Sequence, residues 1–165
     1  MSNVFLISDT HFGHANIIKY CNRPFSSVEE MDEAMVENWN SVVKQGDKVY
    51  HLGDVTMNSK SLDIMPRLNG RKVLIKGNHD TQKLKFYTPH FYDIRGSHEL
   101  GKYLLTHIPV HESQGYRFNA NIHGHLHDNL INDPFYVNVS VEQIGYTPIA
   151  FDEIDTRIRG LNGSK

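Results

Sequence analysis

The chain has 165 residues, 39% of them hydrophobic and 22% charged, with a formal net charge of −2 at pH 7. That length supports one globular domain with a sizeable core, and no stretch reaches the roughly 18 apolar residues of a membrane span. The charge balance offers no global attraction for nucleic acid or an anionic membrane, and the single cysteine, Cys21, excludes an intramolecular disulfide and a thiolate-rich metal site.

The opening MSNVFLISDTHFG lacks the basic region and cleavage signature of a secretory signal, so a cytoplasmic protein is expected. Val4–Ile7 is a short apolar run of the kind that forms a strand buried on both faces. A helix is expected after Gly13, from His14 to Tyr20. Cys21 reads as a small buried residue, since no basic cluster surrounds it to lower its pKa. A longer amphipathic helix lies within 26–43, where Val28, Met31, Met35, Trp39 and Val42 keep helical spacing and Ser27 with Glu30 can form a capping box. Its Met and Trp stripe reads as core. Val49–Leu52 and Val73–Ile75 are the next strands, separated by a short helix over Ser61–Leu68 that Pro66 disturbs, and Thr81–Phe86 is another short helix. Tyr103–Leu105, a run beginning at Ile122, and Phe135–Val141 complete the strands. Strands alternating with helices predict an α/β protein, and the strand-rich second half predicts a mixed or doubled sheet. No repeat, low-complexity tract or linker divides the chain, so residues 1–159 read as one domain and Gly160–Lys165 as a polar tail.

The outlier in the composition is histidine, with 11 copies, and it asks for a chemical reason. Several histidines fall with carboxylates at strand ends: Asp9 and His11 after the first strand, Gly53-Asp54 after the second, Gly77-Asn78-His79-Asp80 after the third, then Thr106-His107 and Gly124-His125-Leu126-His127. In α/β sheets, ligands gather at the carboxyl ends of strands, so residues distant in sequence can converge there. The i, i+2 spacing of Asp9 with His11 and of His125 with His127 would aim both members of each pair to one side of extended backbone, making each pair a chelating unit. Taken singly, Asp-x-His and Gly-Asp are common by chance, and Gly-Asn-His-Asp can be a mere turn. In order, each after an apolar run, they point to a metal site. Carboxylate, imidazole and amide oxygen without thiolate suit Mn²⁺, the first choice here, with Fe, Ni²⁺ or Zn²⁺ as alternatives.

The series Asp-x-His, Gly-Asp, Gly-Asn-His-Asp, His and Gly-His-x-His resembles the calcineurin-like metallophosphoesterase superfamily over about residues 4–127. More narrowly, SDTHFGHANII, Arg23-Pro24-Phe25 and THIPVH are similar to a small, compact bacterial or phage branch. The resemblance implies an α/β (α+β) sandwich of two packed mixed sheets flanked by helices, with a dinuclear metal centre at one edge. It implies that Asp9, His11, Asp54 and His127 hold one metal and that Asp54, Asn78, His107 and His125 hold the other, with Asp54 as the bridge. Two such ions can share a carboxylate and a water, lower the pKa of that water, and set the resulting hydroxide in line with phosphorus. His79 takes the family role of general acid. Asp80 either orients His79 or caps the following helix near Thr81.

Other residues carry weaker expectations. His14, one helical turn past the first pair, is placed either to touch substrate phosphate or to cap its helix. Arg23 and Arg117, with Tyr116 and Phe118, lie in segments that could reach over the site, with charge for phosphate and rings for an apolar group. His111 and His123 stand either behind the ligands or as structural histidines, and His51, His90 and His98 read as structural. Val55-Thr56-Met57 follows Gly53-Asp54 where phosphoprotein phosphatases continue differently, which disfavours protein phosphatase activity. The length also leaves no segment for the capping domain of the large nucleases. The expectation is a hydrolase of a small phosphodiester or phosphomonoester, with nucleotides or cyclic nucleotides as candidates, and without a membrane or stable nucleic-acid partner. The alternative is a catalytically weak or inactive metal-binding scaffold of the same fold, although such a protein need not keep every ligand and the general acid.

Overall fold

The structure is a computed structural model and describes residues 2–162. Among the described residues, nine strands form two sheets. The first strand of the chain, β1 (Val4–Ile7), runs parallel to β2 (Lys48–His51), which runs parallel to β3 (Arg71–Ile75), and β3 to β4 (Asp93–Arg95). The second sheet takes β5 (His98–Leu100), β6 (Tyr103–Leu105), β7 (Ala120–His123) and β8 (Tyr136–Asn138) in that order, with β6, β7 and β8 parallel. A two-residue strand, β9 (Ile149–Ala150), returns to pair antiparallel with β1. The expected sandwich of two mixed sheets flanked by helices is what the chain forms.

Side-chain alternation along the strands builds the two halves of the core. Phe5 and Ile7 of β1, Val49 of β2 and Leu74 of β3 point to one face and pack against helices α1 (Ala15–Tyr20) and α2 (Val28–Val42) through Ile17, Met31, Met35 and Trp39. Leu6, Tyr50, Val73 and Ile75 point the other way and meet Tyr103, Leu105, Ala120 and Ile122 of the second sheet. The methionine and tryptophan stripe of α2 is therefore core. At the start of α2, Ser27 Oγ accepts the Glu30 backbone N–H at 3.1 Å, but the Glu30 carboxylate reaches back to Ser26 N at 2.7 Å instead of Ser27. The capping box is displaced by one residue.

Several expectations need correction. The segment around Ser61–Leu68 is a 3₁₀ helix over Lys60–Arg67, in keeping with Pro66 inside it. No helix forms over Thr81–Phe86; only a 3₁₀ turn at Leu84–Phe86 is present, and its N-terminus has no side-chain cap. Phe135–Val141 does not continue as one strand: after β8 the chain bridges Ser140 to Ser8 and turns into a 3₁₀ segment at Val141–Gln143. A third helix, α3 (Phe151–Asn162), was not anticipated. It buries Ile154 and Ile158 against the inter-sheet core and runs past Arg159, so the expected polar tail begins inside a helix; residues 163–165 lie outside the described residues.

Candidate metal centre

All the strands that carry candidate ligands are parallel to a neighbour within their sheet, so their carboxyl ends lie at one edge of the sandwich. The loops there are laced together by backbone hydrogen bonds. Asp9 N–H donates to Gly53 O at 2.9 Å, His11 N–H to Asp54 O at 3.0 Å, and Gly124 N–H to His107 O at 3.0 Å. The Asp80 carboxylate, fully buried, ties the second and third loops by accepting Asp54 N–H at 2.8 Å, Val55 N–H at 3.0 Å and Gly77 N–H at 2.8 Å. Asp80 thus neither orients the His79 ring nor caps a helix at Thr81. Burial pushes its carboxyl above the ordinary range despite these donors.

Asp9, His11, Asp54, His125 and His127 all have positive φ, from 50° to 69°. The expected extended backbone for the i, i+2 pairs is therefore wrong: each pair is presented by left-handed residues, a conformation that costs of order 1 kcal/mol or more per non-glycine residue and concentrates at functional sites. Glycines make room beside them. A Cβ on Gly124 would stand 2.3 Å from Asp9 Oδ2, and one on Gly77 2.2 Å from Asp54 Oδ1.

The polar atoms that meet at this edge do not satisfy one another. Asp9 and Asp54 are 0% and 1% exposed, and among the described residues their carboxylates pair with histidines but with no lysine or arginine. Asp9 Oδ2 accepts from His125 N and Ser140 Oγ, whereas Asp9 Oδ1 is buried without a hydrogen-bond partner. His11 Nε2 is likewise buried and unpartnered, 4.0 Å from Asp9 Oδ1 and 3.5 Å from Asp54 Oδ2. His107 donates through Nδ1 to Leu52 O at 2.7 Å, which leaves Nε2 facing Asn78 Oδ1 at 2.9 Å and Asp54 Oδ2 at 3.4 Å. In the neutral ring that nitrogen carries a lone pair, so it meets two acceptors. Uncompensated buried carboxylates are costly, and a cation between these atoms removes both the charge and the lone-pair conflict. Ligand atoms of Asp9, His11 and His127 come within 4.8 Å of one another, as do those of Asp9, Asp54 and His107, so each group could hold a divalent ion. His125 stands beside the second group, with Nδ1 3.0 Å from the Asn78 Oδ1 that also faces His107 Nε2.

The same field is visible in proton affinities. Burial alone would raise the Asp54 carboxyl, but the imidazoles of His107 and His11 beside it, with the His79 backbone N–H, favour its charged form and hold it well below the usual carboxylate range. Burial would lower His107 and His127; contact with Asp54 raises the first, and contact with Glu142 the second.

The remaining candidates are distributed around this cluster. His79 donates its backbone N–H to Asp54 Oδ1 at 2.9 Å and leaves its ring exposed, 5.5 Å from the His11 ring. His14 precedes α1 without a side-chain cap and lies with Nδ1 3.4 Å from His11 Nδ1, at the rim of the cluster. Arg23 does not face substrate. It is 3% exposed, donates to Thr10 O and Asp9 O, and pairs with Glu142 at 2.8 Å, so its guanidinium is consumed in holding the Asp9 loop. Arg117 also does not reach the site: it pairs with Glu99 and precedes β7, at the end of the second sheet opposite the ligands. Exposed Tyr116 sits in the same segment. His111 caps the 3₁₀ turn at Glu112–Gln114, and His123 contacts Gly124 O, beside ligand candidate His125, and the Tyr136 ring. Sequence reasoning missed Glu142 and Ser140, which contact His127 and Asp9 from the segment after β8.

The family model for calcineurin-like phosphoesterases matches residues 2–153. An uncharacterized protein of Methanocaldococcus jannaschii is 43% identical over 93% of this chain and 90% of its own length. The gene 66 protein of Mycobacterium phage L5 is 39% identical over 48% of this chain and 41% of its own. The crystal structure of a protein of unknown function from Aquifex aeolicus superposes with a TM-score of 0.76 at 31% identity, covering 94% of this chain and 99% of that one. With this match across most of its length, the chain belongs to the calcineurin-like phosphoesterase family.

Proposed function

We propose that the protein is a dinuclear metal-dependent phosphoesterase that hydrolyses a small phosphodiester or phosphomonoester, with nucleotides and cyclic nucleotides as candidate substrates. The observation that carries this reading is the convergence of buried, unpartnered Asp9 Oδ1 and His11 Nε2 with Asp54 Oδ2 and His107 Nε2 at one sheet edge. Asp9, His11 and His127 would hold one ion and Asn78, His107 and His125 the other. Asp54 would be shared, because its Oδ2 lies 3.5 Å from His11 Nε2 and 3.4 Å from His107 Nε2. Mn²⁺ suits this oxygen and nitrogen set, as do Fe, Ni²⁺ and Zn²⁺. Such a pair of ions, when bound, neutralises phosphate oxygens and supplies a nucleophilic water at neutral pH.

The chain's own residues do the rest. His79 is anchored through its backbone to Asp54, and its exposed imidazole stands at the mouth of the site, where it can give a proton to the departing oxygen. His14, whose Nδ1 lies 3.4 Å from His11 Nδ1 at the rim, would donate a hydrogen bond to the bound phosphate. Arg23 and Glu142 keep Asp9 and His127 in place.

The test is a panel of phosphomonoesters, phosphodiesters and nucleotides assayed with several divalent metals. Metal-dependent turnover is expected, abolished by Asp54→Ala. In His79→Ala, alkyl esters should lose far more activity than 4-nitrophenyl esters, whose leaving group needs no proton. Absence of metal-dependent turnover on the whole panel would overturn this reading in favour of a metal-binding scaffold.

A further inference from the structure

Next to Asn78 and His107 lies a groove of about 460 Å³ whose other walls include Lys76, Ser97, Ile108 and Val110. Three strand ends build it: Lys76 follows β3, Ser97 lies in the turn from β4 to β5 that joins the two sheets, and Ile108 and Val110 follow β6. Its frame is tied in place. Lys76 N–H donates to Arg95 O at 2.9 Å, Thr106 Oγ1 donates to Ile108 O at 2.7 Å, and Val110 N–H donates to Asn121 Oδ1 at 2.9 Å.

The groove's chemistry is uneven. Lys76 is exposed, and its ammonium enters none of the ion pairs among the described residues, all of which use arginine or histidine. Arg95, whose carbonyl accepts the Lys76 N–H, has its guanidinium occupied by Asp93 and His98, which leaves Lys76 as the unpaired cation lining the groove. Ile108 is 51% exposed although its loop is pinned, and a Cβ placed on Gly96 would meet nothing within 4 Å. The wall thus combines a cation, an open shelf and an apolar side chain, contiguous with two candidate ligands.

We infer that this groove receives the part of the substrate that does not react, and that this part carries a second phosphate for Lys76 beside a body that covers Ile108. The substrate class is a nucleotide-type phosphoester with two phosphate groups, one over Asp54 and the other at Lys76. This rests on the phosphoesterase reading. A lysine ammonium binds phosphate as a point charge, and in an open groove that contact weakens with added salt.

The experiment compares thymidine 5′-(4-nitrophenyl phosphate) with its 3′-phosphorylated counterpart in Mn²⁺. The wild type is expected to favour the 3′-phosphorylated ester by about tenfold in kcat/KM, the scale of one charge-assisted contact. Lys76→Glu should bring that ratio to one or below, mainly through KM, and raising the salt should shrink it in the wild type alone. Ile108→Asp should raise KM for both esters. An equal ratio in wild type and Lys76→Glu, or no preference in the wild type, would overturn the inference. Hydrolysis of neither ester would instead count against the phosphoesterase reading. In that event calorimetric binding of thymidine 3′,5′-bisphosphate to the Mn²⁺-loaded wild type and Lys76→Glu decides the groove: tenfold weaker binding in the variant supports it, and equal or absent binding overturns it.

Discussion

His127 donates from Nδ1 to Oε1 of Glu142 at 3.0 Å, and that contact decides which nitrogen of the ring faces Asp9. Glu142 is itself gripped by Arg23 at 2.8 Å. Burial would raise the Glu142 carboxyl, but the hydrogen bond from His127 and the charge of Arg23 hold it below its ordinary value. Outer partners of this kind fix a ligand's tautomer, and their loss commonly costs about 10–100-fold in metal affinity. Glu142→Gln keeps the shape and removes the charge, so a fall of that size in Mn²⁺ affinity is expected by calorimetry. Wild-type affinity in this variant would show that the ring needs no carboxylate behind it.

The glycines that flank the carboxylates lead to a second expectation. A Cβ on Gly124 would come within 2.0 Å of Ser8 Oγ and 2.3 Å of Asp9 Oδ2; on Gly77 it would meet Asp54 N at 2.5 Å. Gly124→Ala and Gly77→Ala should therefore displace the carboxylates and lower kcat/KM by on the order of 10²-fold, the usual cost of a misplacement of about 1 Å. Gly46→Ala, where a Cβ meets nothing within 4 Å, is the control and should match the wild type. Full activity in both site variants would mean that the loops yield freely.

Asp80 acts on the same loops from beneath. Asparagine offers one oxygen where the Asp80 carboxylate accepts from Asp54, Val55 and Gly77. At least one buried N–H is left without its acceptor in Asp80→Asn, a loss of about 1–3 kcal/mol. Urea denaturation is the direct measurement, with activity falling as well because the Asp54 loop loses an anchor. Unchanged stability would show that water replaces the lost oxygen.

How far these features could be read from the sequence depended on which forces were local. β1, β2 and β3 announced themselves as apolar runs because both their faces are buried at the carboxyl end, and β6 because it is apolar throughout although Leu104 is only half-buried. β4 and β5, with the sequences DIR and HEL, are edge strands too short and polar to stand out, and α3 presents its buried Ile154 and Ile158 among charged neighbours. At the site, the spacing of Asp9 with His11 and of His125 with His127 marked pairs that do converge, but the left-handed φ values that aim them come from the loop lacing, not from local preference. The anchoring roles of Arg23, Asp80 and Glu142 were beyond reach for a common reason. The burial of a charged side chain is set by what folds over it, and nothing adjacent in sequence distinguishes Arg23 at 3% exposure from exposed, paired Arg117.

His51 supplies a pH-dependent expectation that is independent of metal. Gly53 N–H donates to His51 Nδ1 at 3.2 Å, so the ring proton sits on Nε2 and is given to Thr10 Oγ1 at 2.9 Å, while the Thr10 hydroxyl donates onward to Val55 O at 3.0 Å. With the ring buried and stacked on Trp39, burial pushes the imidazole down from 6.5 to about 3. The unfolded chain therefore takes up a proton below pH 6.5 that the folded chain refuses. The stability this group contributes is complete above that pH and is lost as the pH falls toward about 3, at roughly 1.4 kcal/mol per unit. His51→Gln removes the titration, so the wild type's advantage over the variant at pH 7.5 should shrink by roughly 3 kcal/mol at pH 4.5. Urea denaturation with a chelator present checks this without the competing release of metal by protons. A gap that stays constant between the two pH values would show that the folded protein accommodates the charged ring.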